Sequence, residues 1–161
     1  LFSPSTWIIL LLNELTFFSG DTKMKKVIRI HGDSGDTNKL ADYIANIVIP
    51  KNPNGFTIDP ATLQTPAFPR SVFLVSRKEC ERRFHTRPGL KDVADWIRQN
   101  SEVLWRPGHY IGGWRDEGIF FLDVTLSIRG MFAALNAAYA NQQLAIYHPF
   151  SGESLYLPRV A

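Results

Sequence analysis

The chain has 161 residues, a formal net charge of +3, 45% hydrophobic and 20% charged side chains, and one cysteine. It is long enough for one compact domain and too apolar for intrinsic disorder, while 11 glycines and 10 prolines are too few for a low-complexity or collagen-like chain. Cys80 alone excludes an intrachain disulfide and a cysteine-based zinc site within one chain and fits a reducing, cytoplasmic setting, and the small basic excess permits contact with phosphate without requiring it.

The apolar run Trp7-Ile8-Ile9-Leu10-Leu11-Leu12 is interrupted by Asn13 and Glu14, well short of the ~20 residues that cross a bilayer. No basic residue precedes it, as a signal peptide would require, so neither export nor a membrane partner is expected. Met24-Lys25-Lys26 reads as a natural start. Residues 1–23 are therefore expected to be a leader or upstream segment, and residues 24–161 a single domain; an amphipathic N-terminal helix is the rival reading.

Residues 27–30 are β-branched and predict a strand. Leu40, Ile44, Ile47 and Val48 then predict one face of a helix, capped by Asp36 or Thr37 and stopped at Pro50. Residues 56–58 and 72–75 predict two strands joined as a loose hairpin through a loop containing Pro60, Pro66 and Pro69. Pro88 suits the first turn of a second helix with Leu90, Val93, Ala94 and Ile97 on its apolar face, ending at Asn100-Ser101. Residues 110–114 and 119–124 flank Arg115-Asp116-Glu117-Gly118, a hairpin signal with glycine where the turn needs positive φ. Met131, Leu135, Ala138 and Tyr139 predict a third helix, ended by Asn141 in the left-handed conformation. Residues 144–147 and 154–157 bracket a further turn at Ser151-Gly152-Glu153. Strands joined mostly by turns favour an antiparallel sheet, so the expected class is α+β: mostly antiparallel hairpins with about three helices packed on one face.

Three sets of residues are candidates for function. The loop from His31 to Asp36 leads from a strand into a helix, where backbone donors and a helix N-terminus can hold an anion. Gly32-Asp33-Ser34 resembles the opening block of GDS-type serine esterases, which implies Ser34 as nucleophile; an enzymatic reading of the loop that also holds His31 uses Ser34 as nucleophile or Asp33 as base. The later Asn-containing block and the Asp-x-x-His pair of that family are missing, and His148 has no aspartate three residues before it. The competing reading is a polar loop that satisfies backbone donors. The second set is Arg77, Arg82, Arg83 and Arg87, with Phe84 among them, a pattern for phosphate and base contacts or for a solvated connection, since Glu79 and Glu81 interrupt it. The third set is Trp105, Tyr110 and Trp114, which line a groove or pack across strands, together with the amides of Asn141, Gln142 and Gln143, which suit a partner. His31, His85, His109 and His148 are scattered, so no metal site and no cofactor is expected. Cys80 between two glutamates is a poor nucleophile. Asp123 becomes a site residue if the fold sets it beside Arg115 or His109.

The run from His109-Tyr110-Ile111-Gly112-Gly113-Trp114 through Leu122-Asp123-Val124 and Asn141-Gln142-Gln143 to Ser151-Gly152-Glu153 resembles small uncharacterised proteins of actinobacterial phages and mobile elements, over about residues 55–157. The resemblance implies an accessory protein of a phage or mobile element and carries no activity. The first functional expectation is therefore a non-enzymatic accessory protein that binds a protein partner or its own copy. A hydrolase or transferase using the His31–Asp36 loop, and a nonspecific nucleic-acid-binding module using residues 77–87, stand as alternatives.

Overall fold

The computed structural model describes residues 34–158; the expected leader and the strand expected at 27–30 lie outside them. Helix α1 covers residues 34–51, α-helical over Ser34–Tyr43, π-helical over Ile44–Val48 and α-helical again over Ile49–Lys51. Its buried residues are Thr37, Leu40, Ala41, Ile44, Ala45, Val48 and Ile49, whereas Ile47 points outward. An α-helix drifts by roughly 40° every four residues, and the wider π-helical turn takes up that drift, which keeps pairs four residues apart on the core side and turns Ile47 away. Asp36 and Thr37, expected as caps, lie inside the helix because it already begins at Ser34.

Pro50 does not stop α1, which runs one residue further, to Lys51. In the π-helical stretch the bonds reach back five residues, as Ile49 N–H to the Ile44 carbonyl shows, so the next donor in the series belongs to Pro50 and does not exist. The Ala45 carbonyl that it would serve is taken instead by Arg87 Nη2, at 2.8 Å. Asn52 closes the helix by giving both its N–H and its Nδ2 to the Val48 carbonyl, at 3.0 and 2.8 Å.

Helix α2 (Leu90–Gln99) starts after Gly89, whose N–H donates to the Asp92 carboxylate at 3.0 Å. Pro88 therefore precedes the helix, and Leu90, at its first position, is exposed; Val93, Ala94, Trp96 and Ile97 make the buried face. Asn100 ends α2 as expected, and one further turn, α3 (Ser101–Leu104), follows directly and buries Leu104. Helix α4 (Met131–Ala140) buries Ala134 and Ala138, while Met131 and Tyr139 of the expected stripe are about half exposed. Alanine at the contact lets this helix lie close to the sheet, which leaves its larger side chains on the outside. Asn141 keeps a negative φ because its N–H and Nδ2 both reach the Ala137 carbonyl, and the left-handed residue is Gln142, φ 51°.

The strands are β1 (Gly55–Ile58), β2 (Val72–Ser76), β3 (Arg82–Phe84), β4 (His109–Asp116), β5 (Ile119–Arg129), β6 (Ala145–His148) and β7 (Glu153–Tyr156). All are antiparallel, in the order β1-β4-β5-β2-β6-β7, with β3 beside the first half of β5. The β4–β5 hairpin turns through Glu117 and Gly118, both with positive φ (47° and 83°), the two-residue turn whose twist matches the strands. β1 and β2 are not a hairpin: β4 and β5 lie between them. The proline-containing loop is long enough to cross two strands, and β1 finds a better partner in β4, where the Phe56 ring fills the space that a Cβ on Gly113 would occupy. Arg82–Phe84, expected within a solvated connection, is instead a strand, held by pairing with Leu122 to Phe120.

Residue alternation along β5 explains the layering. Phe120, Leu122 and Val124, with Ile111 and Ile58 of neighbouring strands, meet α1 and α2; Phe73, Val75, Ile128 and Ile146 meet α4. Cross-strand register places all of these on the same side of the sheet. The α+β class with its helices on one face is therefore the observed architecture.

The Arg87 brace makes a prediction. Arg87→Ala leaves the Ala45 carbonyl without a donor and lowers stability by about 1–3 kcal/mol in chemical denaturation. Adding Pro50→Ala supplies the missing N–H, so the double variant recovers part of that loss; equal, additive losses would contradict the pairing.

Candidate functional site

The side of the sheet away from the helices carries the structure's most unusual polar group. Asp123 sits in the middle of β5, opposite Gly112 of β4, and is 1% exposed. Its Oδ1 accepts a hydrogen bond from Thr125 Oγ1 at 2.6 Å, and Ser76 of β2 and Trp114 of β4 are its other side-chain partners. Register accounts for the cluster: Ser76 faces Thr125, and Trp114 is diagonal to Asp123. Gly112 is required, since a Cβ there would overlap both Asp123 Oδ1 and Thr125 Oγ1. Burial pushes the Asp123 carboxyl above the ordinary carboxylate range, against the lowering effect of hydrogen bonds from Thr125, Ser76 and Trp114. Arg115 and His109, the neighbours that would have made Asp123 a site, face the other side of the sheet by alternation. Among the described residues the cluster is a hydrogen-bonded network closed on itself.

The aromatic residues divide in the same way. Trp114 stacks on Phe121, 4.2 Å between centroids at 15°, and Tyr110 meets Phe68 edge-on at 5.2 Å. Trp105 instead packs against the helix-side core, its Nε1 buried and without a partner among the described residues. These three do not converge on one groove. An open cleft of about 320 Å³ lies between α1, β1 and the loop after β1, lined by Tyr43, Ile47, Lys51, Phe56 and Leu63 among others.

The arginines of the basic segment have intramolecular partners. Arg77 and Arg83 each pair with a glutamate two residues away, Glu79 and Glu81, through Nε at 2.7 and 2.8 Å. Arg82 lies over the Phe84 ring, and Arg87 braces α1. Arg82 and Arg83 point to opposite sides of β3. Cys80 is buried and its thiol is pushed up, first by burial and then by Glu79, while its carbonyl accepts the Trp96 indole N–H at 2.7 Å. His148 is structural: it stacks on Phe73, and its ring nitrogens contact Ser151 Oγ and the Arg70 carbonyl. No group of three or more potential metal ligands occurs among the described residues. His31 and Asp33 lie outside those residues, and Ser34 is the first residue of α1.

The remaining surface of note is the end of the sheet built by α4, β6 and β7. It exposes Phe132 (84%) and Tyr156 (70%), with Met131, Tyr139, Leu144, Tyr147, Phe150 and Leu155 exposed to lesser degrees. Glu153 is the single charged side chain in residues 130–158, whereas α2 alone carries Lys91, Asp92, Asp95 and Arg98. Gln142 sits at its border, accepting a hydrogen bond from Lys78 Nζ. The sequence signal for this surface is the uncharged stretch itself; the periodicity of the third helix does not say which side of a mostly apolar helix is covered.

Comparisons of the chain with family models, with curated proteins and with solved structures give no match. No helix among the described residues is long and apolar enough to cross a membrane.

The buried acid has a measurable pH signature. An unfolded aspartate titrates near ~3.9; Asp123 holds its proton to higher pH when folded, so its contribution to stability is complete below that value and is lost as pH rises toward the folded pKa. The denaturation midpoint of the wild type is expected to fall more between pH 4 and pH 7 than that of Asp123→Asn. Parallel pH profiles would show that Asp123 is ionised in the folded state.

Proposed function

We propose that this chain acts by binding protein, through the uncharged end of the sheet formed by α4, β6 and β7. One observation carries the reading: a phenylalanine and a tyrosine, Phe132 and Tyr156, stand largely in solvent on a stretch of 29 residues with a single charge. Phe132 projects from α4, and Tyr156, opposite Ala145, faces the other side of the sheet; exposed apolar side chains with few charges around them mark interaction sites, and aromatic side chains with few charges are the composition of interface centres. The hydrogen-bonded network around Asp123 and the glutamate-paired Arg77 and Arg83 support the same reading, since both are arranged as structural elements. Nucleic-acid binding by Arg77, Arg82, Arg83 and Arg87 is disfavoured by the ion pairs of Arg77 and Arg83, by the engagement of Arg87 with the Ala45 carbonyl and by the opposed directions of Arg82 and Arg83. An accessory role in a phage or mobile element is a setting that suits a binding protein.

A photo-crosslinking amino acid at position 132 tests the proposal in the producing cell. Discrete protein adducts are expected from position 132 and none from position 91 on α2, where the lysine side chain is also exposed. Phe132→Ser, with the probe moved to position 139, seven residues along the same face of α4, is expected to reduce the adducts at least tenfold, while stability changes by less than about 0.5 kcal/mol. Equal labelling from both surfaces, or none from position 132, refutes the proposal.

A further inference from the structure

β7 ends the sheet. Among the described residues it pairs only with β6, and its four residues are all exposed. The Leu157 N–H donates to the Leu144 carbonyl at 2.8 Å. Alternation from that bond directs the backbone groups of Glu153 and Leu155 toward β6 and those of Ser154 and Tyr156 away from it. Edge strands are ordinarily protected by prolines, lysines, bulges or a covering element. The opposite edge has such protection, with Pro53 before β1 and Asp59-Pro60 after it. In β7 the only charge is Glu153 at its start, and the first proline, Pro158, follows the strand.

We infer that β7 pairs with β7 of a second copy of this chain, antiparallel and centred on Leu155. This inference rests on the binding role proposed above and names the partner. A two-fold axis that pairs two edges antiparallel stands normal to the sheet, so residues facing one another lie on the same face, and odd-numbered positions meet odd-numbered ones. Among such registers, the one centred on Leu155 sets Ser154 opposite Tyr156 twice over. It satisfies four outward-directed donors and acceptor carbonyls within the strand. Centring on Ser154 brings the turn residue Gly152 opposite Tyr156, and centring on Tyr156 brings Pro158, which has no N–H, opposite Ser154.

Charge agrees with this occupant, and the apolar side chains at this edge supply part of the area. In the Leu155-centred register the two Glu153 carboxylates are four positions apart, ~14 Å along the strand, beyond the ~8 Å screening length at physiological salt. Each meets the partner's Leu157 rather than a like charge. Leu144, Tyr147, Leu155 and Tyr156 expose 47, 38, 37 and 70% of their surface. At ~200 Å² for a large side chain that amounts to roughly 400 Å², about half of the ~800 Å² that each partner contributes to a standard interface. The paired molecules share one continuous sheet, with both α4 helices on the same side of it.

Oxidative crosslinking of the full chain tests the register. Leu155 faces its own copy in a non-hydrogen-bonded pair, where Cβ atoms are about 4.5–5.5 Å apart, and the native Cys80 is buried. Under mild oxidation Leu155→Cys is expected to form a covalent dimer at least tenfold faster than Thr57→Cys on the β1 edge. In sedimentation, the wild type is expected to dimerise, and Ser154→Pro, which removes an outward donor and leaves the bonds to β6, is expected to weaken the dimer at least tenfold, with its circular dichroism unchanged. A wild type that remains monomeric, equal crosslinking at the two edges, or an undiminished dimer in Ser154→Pro overturns the inference. If the wild type is monomeric while position 132 still captures a different protein, the second copy is excluded and the binding role stands; if position 132 captures nothing, both fall.

Discussion

The fold is organised by the two-sided hydrogen bonding of β5. Eleven residues long, this strand pairs with β4 along one edge and with β3 and then β2 along the other, so that strands from three parts of the chain take their register from it. Because its side chains alternate, one choice of register settles both layers at once: Phe120, Leu122 and Val124 meet the helices, and Phe121, Asp123 and Thr125 are assigned to the other side. A slip of one residue would drive Asp123 into the apolar layer. The polar cluster and the hydrophobic core are thus consequences of the same backbone pairing.

How much of this was legible in the sequence depended on how local the determining interaction is. The β4–β5 hairpin was readable because Glu117-Gly118 is a turn signal held between two apolar runs. The three main helices were readable from their spacing. The pairing of β1 with β4 was not, because it is chosen by the fit of Phe56 over Gly113, a contact between residues far apart in the chain. The strand at Arg82–Phe84 was hidden for a related reason: its charged composition suits a loop, and only the free edge of β5 makes it a strand. Within α1, the misplaced Ile47 follows from a π-helical stretch that no period-based reading contains.

The candidate sites were legible in kind more than in place. The aromatic and basic residues singled out from the sequence are real features, but Trp105, Tyr110 and Trp114 are distributed between two sides of the sheet, and the arginines are engaged with nearby acids, a ring and a carbonyl. Gln142 is at the edge of the exposed apolar surface, where its left-handed backbone closes α4. The surface itself follows from an economy in α4: Ala134 and Ala138 suffice for contact with the sheet, and Phe132 is then surplus to the core. Charge is concentrated in the first part of the domain and nearly absent from the last, which gives the two ends of one sheet different physical character.

The brace between Arg87 and Ala45 also orders events during synthesis. A ribosome releases the α1 segment long before residue 87, and the donor that would complete the helix locally is missing at Pro50. The Ala45 carbonyl consequently meets its donor only in a side chain made 42 residues later. A nascent chain cut short before Arg87 therefore holds α1 with its Asn52 closure but leaves one carbonyl of that helix to solvent.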